Sequence, residues 1–221
     1  MKTNIRNSKE LFLRVIILMI GLTIAHLGVT LFILADLGAD PFNVFVQGLF
    51  RTLRKFLDHP LLTHGNTHIV ISFLIILFLL AADRSYIRIG TVLCMICGGP
   101  IIDLFTLILE PAFRAFPALW FKLPLLAAGC VILAFGMTIV IKSEAGTGPN
   151  DLVAVVISDR SGKPFSIIRV IVDASFVITG FLLGGSFGIG TIVCACLVGP
   201  VAGFFLPRNE ALIRRFLDRL L

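Results

Sequence analysis

The sequence predicts an all-α fold: a polytopic membrane helix bundle of two inverted repeats, each with three spans and an extra short half-helix. Two observations carry this expectation. Hydrophobic residues make up 57% of the 221 positions, charged residues only 14%, and the mean hydropathy is +1.02. A soluble domain of this size carries about a quarter of its residues as charges. The second observation is that the glycine and proline punctuation occurs twice. Gly21, Gly28, Gly38 and Pro41 return 108 positions later as Gly129, Gly136, Gly146 and Pro149. Ile89-Gly90-Thr91-x-x-Cys94, Gly99-Pro100 and Phe105 return 100 positions later as Ile189-Gly190-Thr191-x-x-Cys194, Gly199-Pro200 and Phe205. These residues fix backbone geometry rather than merely add hydrophobicity, so matched spacing reports a shared architecture. The change of offset falls in one polar stretch of the first half, where a loop absorbs an insertion.

Crossing the hydrocarbon takes about 20 helical residues, and apolar runs of that order occupy 12–35, 67–83, 88–109, 121–142, 165–184 and 188–206. The basic start MKTNIRNSKELFLR precedes an apolar run from Val15 to Ala35. That run exceeds a signal-peptide core of about 7–15 residues, so it is expected to stay as the first span. From Pro41 to Leu57, apolar Phe42, Phe45, Val46, Leu49, Leu53 and Phe56 recur at helical spacing with Arg51, Arg54 and Lys55 opposite, the pattern of an amphipathic helix. Its counterpart, Pro149 to Ser158, is only ten residues long. Both read as half-helices that dip into the bilayer or lie along its interface. Repeat one is expected over 11–109, repeat two over 119–206, and a basic amphipathic tail over 207–221.

Three spans per repeat is an odd number, so the second repeat inserts upside down. Counting from a cytoplasmic N-terminus then puts Lys2, Arg6, Lys9, Arg14, Arg84, Arg88, Lys142, Arg160, Lys163 and the four C-terminal arginines on one side, with Arg51, Arg54, Lys55, Arg114 and Lys122 on the other. This bias agrees with the positive-inside rule. Counting the half-helices as spans gives eight segments and parallel repeats, which the charge rule alone does not separate from six. The net charge of +6 forms no basic stripe with interleaved aromatics, which excludes nucleic acid as the expected partner. The five cysteines, Cys94, Cys97, Cys130, Cys194 and Cys196, lie in apolar runs and suggest neither a disulfide framework nor a metal site. The stretch from Asp58 to His68, with three histidines, reads as a solvated loop without zinc spacing. No nucleophile elbow, phosphate loop or paired-carboxylate site appears, so neither an enzyme nor a cofactor is expected.

The candidate site lies at two loop-to-helix turns. The first reads Asp36-Leu37-Gly38-Ala39-Asp40-Pro41-Phe42-Asn43 and the second Glu144-Ala145-Gly146-Thr147-Gly148-Pro149-Asn150-Asp151. Proline suits a first helical position, and Asp40 can cap the helix that follows. Each turn therefore sets a helix start, with its partial positive end, beside irregular backbone. At membrane depth such backbone requires protein or a water-filled space around it; at the surface the same turns are ordinary caps. Arg169 and Asp173, four apart, share a helix face and can pair, as structural glue or in a substrate or proton role. Asp103 follows Gly99-Pro100 and either snorkels from a helix end or joins the same polar interior. Mid-span His26 is expected to bond a neighbouring helix. Thr91 and Thr191 can bond across helix contacts or back to their own carbonyls. The expected substrate-binding set is Gly38, Asp40, Asn43, Gly146, Gly148, Asn150, Asp151, Arg169, Asp173 and Asp103.

The Gly-x-x-Pro-Phe-Asn-Val at 38–44, the Gly-x-Gly-Pro-Asn-Asp-Leu at 146–152 and both Gly-Thr…Gly-Pro spans resemble the YczE/YitT group of bacterial membrane proteins, over about residues 11–206. In that group the turn typically reads Pro-Trp-Asp or Pro-Arg-Asp; here Asp151 matches the acid while Asn43 replaces it and Phe42 replaces the tryptophan. The resemblance implies a multi-span bacterial inner-membrane protein and supplies no activity. The function expected from the residues is a small-solute transporter or permease, with membrane lipid and an unidentified solute as partners and a homodimer as a further possibility. The competing expectation is a non-transporting accessory protein for a membrane enzyme or secretion system.

Overall fold

The computed structural model describes residues 8–38, 40–57, 62, 64–82, 84–115 and 119–221. Among these the chain is all-helical: α1 (Ser8–Ala35), α2 (Pro41–Phe56), α3 (His64–Ala82), α4 (Ile89–Ala115), α5 (Leu119–Ser143), α6 (Pro149–Ser161), α7 (Phe165–Leu182) and α8 (Ile189–Leu220), with a 3-10 turn over Arg84–Tyr86. Five of them, α1, α4, α5, α7 and α8, are long and apolar enough to cross a membrane. At 1.5 Å per residue the 19 residues of α3 reach about 28 Å, close to the thickness of a bilayer core. The two short helices fall where the sequence puts its half-helices, at 16 and 13 residues.

At the centre α1 and α5 pack antiparallel through their glycines. A side-chain carbon on Gly28 would sit 2.5 Å from the Gly129 carbonyl and 2.8 Å from Leu133 Cα. One on Gly136 would meet Ala25 Cα and the Gly21 carbonyl, each at 2.7 Å, and one on Gly21 would meet the Val140 nitrogen at 2.9 Å. As α1 runs forward from 21 to 28, its neighbours on α5 run backward from 140 to 129. Removing Cβ lets the two backbones touch, the device by which helices gain dispersion contacts where lipid removes any hydrophobic drive. The antiparallel sense requires an even number of membrane crossings between α1 and α5.

Around this pair α4 lies on α1 and α8 on α5, α2 packs on α7, and α6 fits between α3 and α7. Large apolar side chains such as Leu107 on α4, Phe78 on α3 and Leu182 on α7 are 74–79% exposed, the surface a lipid-facing bundle presents. Two details differ from the sequence expectation. The tail after 206 is no separate element: α8 continues through Pro200 and Pro207 to Leu220. Ile213 and Leu217 of its last turns bury against Ile17 of α1, and Lys9 Nζ donates to the Leu220 carbonyl at 2.7 Å. The histidine-rich stretch is not loop throughout, since α3 begins at His64 and the His68 ring meets Phe42 edge-on at 5.2 Å; His59 lies outside the described residues.

The central contact predicts the effect of restoring a side chain. Gly28→Leu and Gly136→Leu force the backbones apart and lower stability by about 1–3 kcal/mol, measured by thermal unfolding in detergent. Gly99→Ala, at a glycine where a side-chain carbon would have nothing within 4 Å, leaves stability unchanged or raises it by up to about 1 kcal/mol.

Candidate solute site at two buried helix starts

Each candidate turn begins with a residue in the left-handed region, Asp36 at φ 52° and Glu144 at φ 57°, followed two residues later by Gly38 at φ 134° and Gly146 at φ 142°. A side chain at either glycine would be strained by its backbone and would also collide. At Gly38 it meets Thr191 Oγ1 at 2.7 Å, and at Gly146 it meets Gly90 Cα at 2.8 Å. These contacts cross between the halves of the chain. Gly190 N donates to the Leu37 carbonyl at 2.9 Å, and Gly90 N donates to the Ala145 carbonyl at 2.8 Å. The start of α8 is thus bonded to the turn after α1, and the start of α4 to the turn after α5. Thr191 Oγ1 accepts from Gly188 N at 3.2 Å and Thr91 Oγ1 from Arg88 N at 3.5 Å. The two threonines therefore cap the starts of their own helices.

From these anchors the chain re-enters the bundle. Pro41 and Pro149, the first residues of α2 and α6, are both buried. Asp40 caps α2, its Oδ1 accepting from Asn43 N at 3.2 Å and its Oδ2 from Asn43 Nδ2 at 2.5 Å. At the equivalent place in α6 stands Gly148, and no side chain caps the helix. Both starts converge on α7. Phe42 meets Phe176 edge-on at 5.3 Å, while Arg169 Nη1 donates to Asp151 Oδ1 at 2.5 Å and Arg169 Nε to Asp173 Oδ2 at 2.9 Å. Residues 169 to 176 span about 10 Å of helix. Asp173 lies within electrostatic reach of both Asp151 and Asp40, and Asp151 within reach of His26, midway along α1.

The expected set divides accordingly. Asp40, Asn43, Gly148, Asn150, Asp151, Arg169 and Asp173 gather at the two starts, and Asn150 Nδ2 donates to Asp151 Oδ1 at 3.1 Å. Gly38 and Gly146 hold the turns in place. Asp103 is exposed on α4 and, among the described residues, makes no hydrogen bond or ion pair with any of the others. His26 bonds its own helix rather than a neighbour, through Nδ1 and the Leu22 carbonyl at 2.8 Å, and its Nε2 faces Gly98 of α4. Of the cysteines, Cys194 of α8 meets Cys130 of α5, a pairing that the local spacings Cys94-x-x-Cys97 and Cys194-x-Cys196 give no hint of. A second ionic group also lies outside the expectation. Buried Arg14 donates to Glu10 at 2.8 Å and to the Ser143 carbonyl at 3.0 Å, and pairs with Glu144 at 2.9 Å. Arg88 donates to the Glu144 carbonyl, and Lys142 pairs with Glu210 at 2.5 Å. This group clasps the second turn from outside.

An all-α bundle with spanning helices and a buried ion cluster on α6 and α7 defines a multi-pass membrane protein. The chain belongs to a family of unknown function, DUF6198, whose family model matches residues 12–207. It is 30% identical over 206 residues to the "Uncharacterized membrane protein YczE" of Bacillus subtilis (strain 168), covering 93% of this chain and 91% of that one. It is 28% identical over 201 residues to the uncharacterized protein YyaS of the same organism, covering 90% and 94%. It is 30% identical over 190 residues to an uncharacterized protein of Haemophilus influenzae, covering 86% and 82%. No solved structure matches the chain significantly.

Arg169 is the hinge of the cluster, since it bonds both carboxylates. Arg169→Ala leaves Asp151 and Asp173 without their cation inside the bundle, a loss of about 3–5 kcal/mol. Arg169→Lys recovers only part of it, because an ammonium cannot offer the fork that serves two acids at once. Thermal unfolding of both variants beside Asp151→Asn checks the order: Arg169→Ala falls furthest.

Proposed function

We propose that the protein is a small-solute transporter of a bacterial inner membrane, built as two inverted repeats with both termini cytoplasmic, and that solute sits between the starts of α2 and α6. The observation that carries the reading is that two helix starts and a three-membered ion cluster are buried together on one helix, α7. Irregular backbone and intramembrane charge are expensive in lipid and are kept where they line a path for solute. The antiparallel α1 and α5, and hydrogen bonds that repeat with the halves exchanged, support the inverted arrangement. The basic residues gathered with the N-terminal end of α1, namely Lys9, Arg14, Arg88 and Lys142, support the orientation.

A difference between the halves supports movement. In the second half Gly199 lies against Ser166 and Val170 of α7, each 2.7 Å from a would-be side-chain carbon. At the equivalent Gly99 no described residue lies within 4 Å of a would-be side-chain carbon. Exchange of these two arrangements, with α3 closing on Gly99 as α7 leaves Gly199, is the alternating access that an inverted repeat allows.

A metabolite screen by thermal unfolding of the purified protein tests the reading. A solute that binds only the folded state adds about 2.7 kcal/mol at 100 times its Kd. Such a solute is expected to stabilise the native chain, to lose that effect in Asp151→Asn, and to enter proteoliposomes. Gly99→Leu is expected to keep solute binding and abolish uptake. A screen in which no solute stabilises the native chain favours the accessory-protein role instead.

A further inference from the structure

The start of α6 differs from that of α2 in ways that bear on what it binds. Where Asp40 fills the cap of α2, Gly148 leaves the place empty. A side-chain carbon there would lie 3.2 Å from Asn150 Oδ1 and 3.8 Å from Asp151 Oδ2. Among the described residues neither oxygen has a hydrogen-bond partner: the Asn150 amide nitrogen and Arg169 both go to Asp151 Oδ1. In the same turn the Thr147 hydroxyl, on a residue 1% exposed, is a buried polar atom with no hydrogen-bond partner among the described residues. Natural proteins rarely leave such a group orphaned unless something absent from the chain itself completes it. Asp151 is also the accessible member of the ion cluster, its side chain 19% exposed against 9% for Arg169 and 1% for Asp173.

Charge decides between a cation and an anion. Two helix starts contribute roughly +0.5 each, and Arg169 contributes one full positive charge. Asp40, Asp151 and Asp173 contribute three negative charges. The balance is about −1, so the dipoles that would favour an anion are outweighed by the carboxylates around them.

We infer that the turn from Thr147 to Asp151 takes a monovalent cationic group, seated on Asp151 Oδ2, Asn150 Oδ1 and the Thr147 hydroxyl, all oxygen acceptors. An ammonium-bearing solute and an alkali-metal ion share this chemistry. The inference rests on the transporter reading above and specifies the class of what that site holds.

The test is thermal unfolding of the full-length protein in detergent at fixed pH and matched ionic strength. Methylammonium chloride, potassium chloride and choline acetate are each compared with choline chloride. Methylammonium or potassium is expected to give a saturable rise in Tm, the first pointing to an ammonium solute and the second to an alkali-metal ion. Asp151→Asn is expected to abolish the rise. Thr147→Val is expected to weaken it about tenfold, as the loss of one hydrogen bond to a charged group implies, while its unliganded Tm stays at or above that of the native chain. A rise with acetate alone overturns the cation class but leaves solute binding standing. Silence of all three probes together with a blank metabolite screen removes both readings, and silence beside a stabilising anionic metabolite removes only this one. A fall in the unliganded Tm of Thr147→Val also overturns the inference, because the hydroxyl would then have a structural partner.

Discussion

The bundle depends on the backbone contact between α1 and α5. With Gly28 against Gly129 and Gly136 against Ala25, these helices approach more closely than any pair carrying side chains could. That closeness sets the height of everything attached to their ends. The turn after α1 reaches Gly190, and the turn after α5 reaches Gly90. Each long helix thereby hands its exit turn to the entry of a helix in the other half. Dispersion at one glycine seam and two exchanged hydrogen bonds thus lock four helices into one frame.

Once the frame is set, the short helices have little freedom. The left-handed residues Asp36 and Glu144 and the glycines two positions on turn the chain back, and a proline at each helix start fixes the first dihedral. The helix then begins inside the protein rather than at its surface. A buried helix start needs partners for its free N–H groups. In α2 the chain provides one in Asp40. In α6 it provides Gly148 and an acid further along, Asp151, which is committed through one oxygen to Arg169. The two turns therefore share left-handed residues, a glycine and a helix-starting proline but differ in chemistry: one start is closed by its own side chain and the other is left open.

Most of this frame is legible in the sequence, because glycine and proline spacing is a backbone signal and survives where side-chain identity drifts. The helix starts, both half-helices and the Arg169–Asp173 pair follow from periodicity and position. What escapes depends on contacts between distant segments. Asp103 sits after a Gly-Pro just as a site acid would, yet α4 turns it outward. The sequence sets a tail apart at 207, but α8 runs through Pro207 with Ile213 and Leu217 held against α1. The meeting of Cys130 with Cys194 and the clasp of Arg14 on Glu144 join positions 64 and 130 apart, beyond the reach of any local pattern. Thr147 carries no signal in the sequence, since a threonine in a glycine-rich turn has no distinguishing neighbour; only its burial without a partner marks it.

The ion cluster and the glycine seam differ in what they cost the bundle. Two carboxylates around one guanidinium do not neutralise each other, and in lipid an unbalanced charge of even one unit costs about 2.5–3.5 kcal/mol on the lenient insertion scale. A seam with no ionisable group carries no such penalty. A cluster kept solely for cohesion would be expected to balance, as an Arg169–Asp173 pair by itself would. Adding Asp151, at the mouth of an uncapped helix and more accessible than its partners, makes the cluster a poorer brace. It also leaves one carboxylate of the cluster partly exposed, which supports the binding role proposed for it.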